Sequence, residues 1–222
     1  MPESAWSAGV CRWPQSCRSL ATVITKPLEQ RSERELVIIR ATYRMMAELG
    51  SHRLTLVDIA REAGVSKALL LYHFGTKDAL LHTAMQWALE RTAERIQRRL
   101  EPNLSGPQAV AALIDAVFVD AKANRDFYLF YLDLVEHAAR VPRFGELSPM
   151  LTEIINGLYA EVIQAGVRDG SFKVADAYLA ARHMRALIEG TFVQWMQTED
   201  WEANHHKWRD DCRAAILQLL GA

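Results

Sequence analysis

The chain has 222 residues, half of them hydrophobic, and a formal net charge of −1, which is room for one or two domains with a substantial core. No run of about 20 apolar residues is present to cross a bilayer as a helix. Three cysteines (Cys11, Cys17 and Cys212) with no Cys-x-x-Cys pair argue against a disulfide framework or a structural zinc site and fit a reducing, cytoplasmic setting.

Residues 1–28 contain Trp6, Trp13, Pro2, Pro14 and scattered charges. They lack the continuous apolar stretch of a signal peptide and read as a disordered tail. From Glu33 to Leu49, Ile38, Thr42, Met45, Met46 and Leu49 fall on one helical face, and Gly50 stops that helix. Leu54 is expected to tuck beneath the next helix. Thr55 and Asp58 form a capping box with Asp in place of Glu, and Leu56, Ile59, Ala60 and Ala63 then make an apolar face. Gly64 supplies the left-handed residue that ends this helix, and Ser66 caps the next, at about 66–73. Two short helices across a tight turn form a helix-turn-helix, whose second helix enters a DNA major groove.

Thr76 caps a long helix over 77–100, with Asp78 in its first turn and Arg91, Arg95, Arg98 and Arg99 towards the end that favours cations. Residues 101–107 read as a linker. A helix over 107–124 is expected to bury Val110, Leu113, Ile114, Val117 and Phe118, followed by an aromatic-rich helix over 126–140. Val141 to Gly145 breaks it. Ser148-Pro149 opens a helix to about Arg168, Asp169-Gly170-Ser171 turns, and helices over 176–197 and 203–220 finish the chain. With no strand signal and no repeat, the fold class is all-α, eight or nine helices. The expected organisation is a tail at 1–28, a helix-turn-helix domain at 29–80 and a helical domain at 81–222.

Charge agrees with that division without establishing it. Residues 31–80 carry eight Lys or Arg against six Asp or Glu, and residues 81–222 carry fifteen against nineteen, as suits a DNA reader on an acidic regulatory body. There is no Gly-x-Ser-x-Gly, no His-Glu-x-x-His and no phosphate-binding glycine loop, so no enzyme and no cofactor is expected. His205-His206 with Asp210 and Cys212 could suggest a metal site, but two ligands at i, i+4 without a third read better as a solvated helix start. Helical proteins hold ligands in mostly apolar pockets with a few placed polar groups. Phe127, Phe130, Tyr131, Ile154, Tyr159 and Trp195 are the expected apolar lining. His183 and Arg185 are the expected polar contacts, because an inward charge without a partner is costly.

The stretches Ile38–Gly50, Thr55-Leu-Val-Asp-Ile-Ala, Ala63-Gly-Val-Ser, His73-Phe and Lys77-Asp-Ala-Leu-Leu, in this spacing, resemble the tetracycline-repressor (TetR) family of bacterial transcription regulators. The C-terminal part resembles the family only in helix count and in Leu187-Ile-Glu-Gly190. The resemblance implies a double-stranded, roughly palindromic DNA operator, and a homodimer made by the last two helices of each subunit. It also implies a small-molecule effector bound in the helical domain, whose arrival moves the 77–100 helix and separates the DNA-reading heads. The competing reading is a helical DNA-binding regulator without a ligand, controlled by a partner protein or constitutive. By position, Thr55 and Lys77 would bond backbone phosphates. Ser66, Lys67, Ala68 and Leu69 open the recognition helix, Lys67 donating to a guanine edge and Ala68 or Leu69 touching a thymine methyl. The family pattern has tyrosine where this chain has Leu71. Tyr72 is one residue later and about 100° around the helix, so either it and His73 meet a neighbouring phosphate instead, which is the expectation, or Leu71 packs inward and the contact is lost.

Overall fold

The computed structural model describes residues 30–100, 103–140 and 147–222, without the side chains of residues 138 and 147–154. The expected tail at 1–28 lies outside them. Within the described residues there are nine helices: α1 Glu33–Arg53, α2 Leu56–Ala63, α3 Lys67–Phe74, α4 Lys77–Arg99, α5 Gly106–Val117, α6 Ala121–Arg140, α7 Leu147–Arg168, α8 Ala177–Trp195 and α9 Trp201–Leu220.

Local chemistry sets most of these boundaries. Ser32 and Glu35 close a capping box at the start of α1, as Thr55 and Asp58 do for α2, so the cap residue's own N–H and the third N–H of each first turn find acceptors and the first two stay open. Gly64 sits at φ 65° after α2, a left-handed conformation that costs a residue with a Cβ about 1–2 kcal/mol. Gly50 (φ 71°, ψ 162°) breaks α1, leaving Ser51 to Arg53 as a separate turn on its end. Asp176 caps α8 by accepting from the N–H groups of Tyr178 and Leu179.

The clearest departure from the sequence expectation lies between α5 and α6. The break between α5 and α6 falls at Phe118–Asp120, and Asn124 lies inside α6. Asp120 is the reason: its Oδ1 accepts from the N–H of Ala123 at 2.8 Å, a capping arrangement that starts a new helix. The carbonyl of Val117 left open at the end of α5 is taken by Asn124 Nδ2 at 2.8 Å. Helix α9 also begins earlier than expected, at Trp201.

Helix α4 runs through the middle of the molecule. Its Leu80, Leu81, Ala84, Met85, Leu89, Ala93 and Ile96 are all buried, and it packs against α1, α5 and α7. Helices α1 to α3 form the small N-terminal head, with Ile38, Leu54, Ile59 and Leu70 in its core. Helices α5 to α9 form the larger body, with α8 packed on both α7 and α9. At Gly166, α7 approaches the loop before α8 so closely that a Cβ there would lie 2.2 Å from the Phe172 ring. No described helix is long and apolar enough to cross a membrane.

Candidate DNA interface and effector cavity

The head exposes the residues that the sequence places on DNA. Lys67 and Ala68 are exposed, Leu69 is half-buried, and Leu70, 1% exposed, is the one fully buried side chain of α3. Tyr72 is 83% exposed and Leu71 41%, so Leu71 does not pack inward. The Tyr72 ring stands edge-on to His73 with centroids 5.2 Å apart. Phe74 is half-buried, packed against the core beneath the Arg31 guanidinium.

Three hydroxyl and amine groups are already engaged, which bears on what each can offer a phosphate. Thr55 Oγ1 accepts from the Asp58 N–H and donates its own hydrogen to Asp58 Oδ2 at 2.6 Å. That hydrogen is therefore spent, and what α2 presents to an anion is its open first-turn N–H groups. Ser66 Oγ accepts from the Leu69 N–H at 3.1 Å and keeps its hydrogen free to donate. Lys77 Nζ donates to the Ser51 carbonyl, which occupies one of the three ammonium hydrogens.

Ser51 is also where the head is tied to the body. Its N–H donates to Asp133 Oδ2, and its Oγ donates to Asp133 Oδ1 at 2.8 Å. Nearby, His52 and Glu136 lie 3.5 Å apart, and His137 is 3.9 Å from Asp78. His52, Asp133 and Glu136 bring ligand atoms within 4.8 Å of one another, but both Asp133 oxygens already accept from Ser51. The sequence grouping of His205, His206, Asp210 and Cys212 does not come together: His205 is buried against Asn124 Oδ1 at 2.9 Å, His206 is exposed, and Asp210 is held by Arg209 and Arg213.

The body encloses a cavity of about 200 Å³. One wall is a stripe of α4 (Trp87, Ala88, Arg91, Thr92 and Arg95), and Tyr43 reaches in from α1. Phe127, Tyr128 and Tyr131 come from α6, Ile155 and Tyr159 from α7, and Arg185, Ile188 and Glu189 from α8. Tyr43 stands edge-on to Trp87, and Phe127 stacks parallel to Tyr131. On the polar side, Arg185 Nε donates to Glu189 Oε1 at 2.6 Å. The Tyr131 hydroxyl donates to the same oxygen at 2.9 Å and accepts from Arg185 Nη2 at 3.0 Å. Burial pushes the hydroxyls of Tyr43, Tyr128 and Tyr159 above the usual tyrosine range, so these side chains are neutral phenols at physiological pH.

Of the expected lining, Phe127, Tyr131, Tyr159 and Arg185 meet around this cavity. Three others do not. Phe130 is 0% exposed and packs against Tyr43, part of the seal between α1 and α6. Trp195 is equally buried, its indole N–H donating to the Trp201 carbonyl at 2.6 Å. His183 points to the surface of α8. It sits one position before the buried Met184, so the helix turns it away from the interior. The side chain of Ile154 lies outside those described. Sequence reasoning missed Tyr43, Trp87, Tyr128, Arg95 and Glu189. The first belongs to the head, and nothing in its local spacing separates a cavity residue from a core one. Within α8, Ala180 and Ala181 are buried inside the chain, while Ala186 is exposed.

The chain is similar to known proteins along both halves. Residues 38–84 match the profile of bacterial regulatory proteins of the tetR family, and residues 107–221 that of the C-terminal part of BetI-type transcriptional repressors. It is 31% identical over 152 residues to the HTH-type transcriptional repressor KstR2 of Rhodococcus jostii, covering 68% of this chain and 73% of that protein. It is 27% identical over 161 residues to the HTH-type transcriptional regulator BetI of Serratia proteamaculans, covering 71% and 78%. Among solved structures, a TetR transcription regulator from Haloarcula marismortui superposes with a TM-score of 0.73 at 25% identity, over 86% of this chain and 98% of that one. A protein from Saccharomonospora viridis solved in complex with choline has a TM-score of 0.72 at 22% identity, over 86% and 97%. With a family profile spanning more than half of its length, an all-α fold and an exposed recognition helix, the chain belongs to the TetR family of DNA-binding transcription regulators, which are not enzymes.

Proposed function

We propose that this protein is a cytoplasmic, homodimeric repressor that a small, mostly apolar effector releases from a roughly palindromic operator. The observation that carries the reading is the convergence on Ser51 of three helices that also wall the cavity. Helix α1 carries Tyr43 and Ser51, α4 carries Trp87 and Lys77, and α6 carries Tyr131 and Asp133. At 1.5 Å per residue, Tyr131 and Asp133 are about 3 Å apart along the axis, Trp87 and Lys77 about 15 Å, and Tyr43 is about 9 Å from Leu49, the last residue before the break that leads to Ser51. An effector that spreads these walls also strains the knot that fixes the head on the body. The shift cannot exceed the effector's preference for the released state.

Residues 29–80 act as the reading head in this proposal, and 81–222 as the sensing and dimerising body. Lys67, Ala68 and Leu69 read bases, while Ser66, Tyr72, His73, Lys77 and the N-terminus of α2 at Thr55 hold phosphates. The dimer face is the outward stripe of α8, Leu179, His183, Ala186, Leu187 and Gly190, together with the exposed Leu219 of α9. This gives His183 a place at the subunit contact rather than in the cavity. Two-fold symmetry would set two α3 helices about one DNA turn, or a small multiple of it, apart.

Selection of bound fragments from random duplex DNA by the full-length protein tests this directly. Enrichment of a two-fold symmetric motif, bound by a species of twice the chain mass in sedimentation, is expected. An asymmetric motif or a monomeric complex overturns the dimeric reading. A regulator controlled only by a partner protein would bind the same motif and show no ligand-dependent stabilisation across a metabolite panel.

A further inference from the structure

The cavity walls combine aromatic surface with an excess of positive charge. Its lining holds three arginines, Arg91, Arg95 and Arg185, and one carboxylate, Glu189. Two of the arginines are matched. Arg91 pairs with Glu94 at 3.0 Å, on the exposed side of α4, and Arg185 is held by Glu189. Arg95 is not matched: it makes no ion pair among the described residues. Its guanidinium is half-buried, its Nε donates to the Ala116 carbonyl, and Nη2 reaches Thr92 Oγ1 at a long 3.3 Å. Burial holds its pKa below arginine's ordinary value, and Arg98 and Arg99 add to that, while Tyr43 and Asp120 oppose it. A guanidinium stays charged regardless. A partly desolvated cation is costly without an anion beside it, and two neutral acceptors satisfy only part of its donor fork. The same cavity is lined by the neutral aromatic side chains of Tyr43, Trp87, Phe127 and Tyr128.

We infer that the effector is an amphipathic carboxylate, its anionic head on Arg95 and its apolar body against Tyr43, Trp87, Phe127 and Tyr128. This rests on the proposal that the cavity is the effector site, and it adds the charge of the ligand. Guanidinium and carboxylate match in a two-bond geometry stronger than neutral hydrogen bonding. The same lining disfavours a quaternary ammonium. Aromatic faces attract such a cation, but here it would enter beside three arginines, with the sole carboxylate of the wall already bonded to Arg185 and Tyr131.

The test compares matched ligands on the full-length protein by thermal shift and titration. Octanoate and phenylpropionate are the carboxylate probes, their primary amides keep the apolar body without the charge, and choline supplies the opposite charge. Both carboxylates are expected to raise Tm with concentration, the amides to bind at least tenfold more weakly, and choline to leave Tm unchanged. In Arg95→Gln the carboxylate should lose its advantage over the amide, and Arg95→Lys should restore part of it, since a lysine keeps the charge but not the fork. The inference is overturned if the amides equal the carboxylates, if choline binds more tightly, if neither carboxylate binds, or if Arg95→Gln keeps the preference. The wild-type comparison stands even if a variant does not fold. A mobility-shift assay on the selected operator separates the two ideas. Arg95-dependent carboxylate binding without release of DNA keeps this inference and removes the effector-released repressor, while release by choline does the reverse.

Discussion

In α2 and α3 the surface proposed to face DNA is set by partners three residues away, Thr55 with Asp58 and Ser66 with Leu69, and by Gly64 closing the turn between them. The cavity is built the other way, one wall from each of several helices, so that Tyr43 and Tyr159 are 116 positions apart in sequence yet line the same space. Short-range construction leaves a head whose reading helix is anchored by a single fully buried residue and is otherwise bare. Long-range construction gives a site whose shape depends on how whole helices lie against one another. The first arrangement suits rigid presentation of side chains. The second suits a sensor, because anything that changes the cavity must move helices.

The largest effect is expected where the head depends on one side chain. Leu70→Ala should lower stability by about 2–5 kcal/mol, the usual range for truncating a buried leucine, and abolish operator binding by undocking α3. Chemical denaturation and mobility shift measure the two consequences. A loss below about 1 kcal/mol would mean that α3 is held by more than Leu70 and that the head is not locally built. Next in size, Lys67→Ala should relax preference at one base per half-site, worth about 1–3 kcal/mol of discrimination. An unchanged selected motif would move base reading to other residues of α3.

These two regions also differ in how far the sequence reveals them. The helix-turn-helix was readable to within a residue because capping boxes, the Gly64 stop and 3.6-residue periodicity are all local signals. Its one ambiguity, Leu71 against Tyr72, concerned the direction of a side chain, and both prove to be exposed. The cavity was readable only in part. Phe127 and Phe130 look equivalent in an aromatic run, but three positions on a helix turn them about 60° apart, enough to send one into the cavity and the other into the seam against Tyr43. His183 and Arg185 were singled out together for their charge. Two positions separate them by about 200°, so one faces solvent while the other meets Glu189. The break at Asp120 was legible in principle, because an Asp after a Val-Phe-Val run is a capping signal, although apolar periodicity continues smoothly through it.

The knot at Ser51 is where the local head meets the long-range body, and two smaller effects probe it. Asp133→Ala removes the acceptor of the Ser51 N–H and hydroxyl, a loss expected to cost about 1 kcal/mol. Hydrogen exchange should quicken at residues 50–54 and stay unchanged across α8 and α9. Unaltered protection at 50–54 would show that α6 does not hold the head through this contact.

Lys77→Ala separates two roles of one ammonium group. Its bond to the Ser51 carbonyl uses one hydrogen and leaves two, and α4 begins at this residue, three positions after α3 ends. If Lys77 also holds a phosphate, its removal releases one counterion fewer, and the log–log dependence of operator affinity on salt should flatten by about one. Binding to all sequences should weaken alike, because a phosphate contact carries no base information. A slope unchanged within a few tenths, together with faster exchange at 50–54, would assign Lys77 to the knot alone, and the head's phosphate contacts would then come only from α2 and α3.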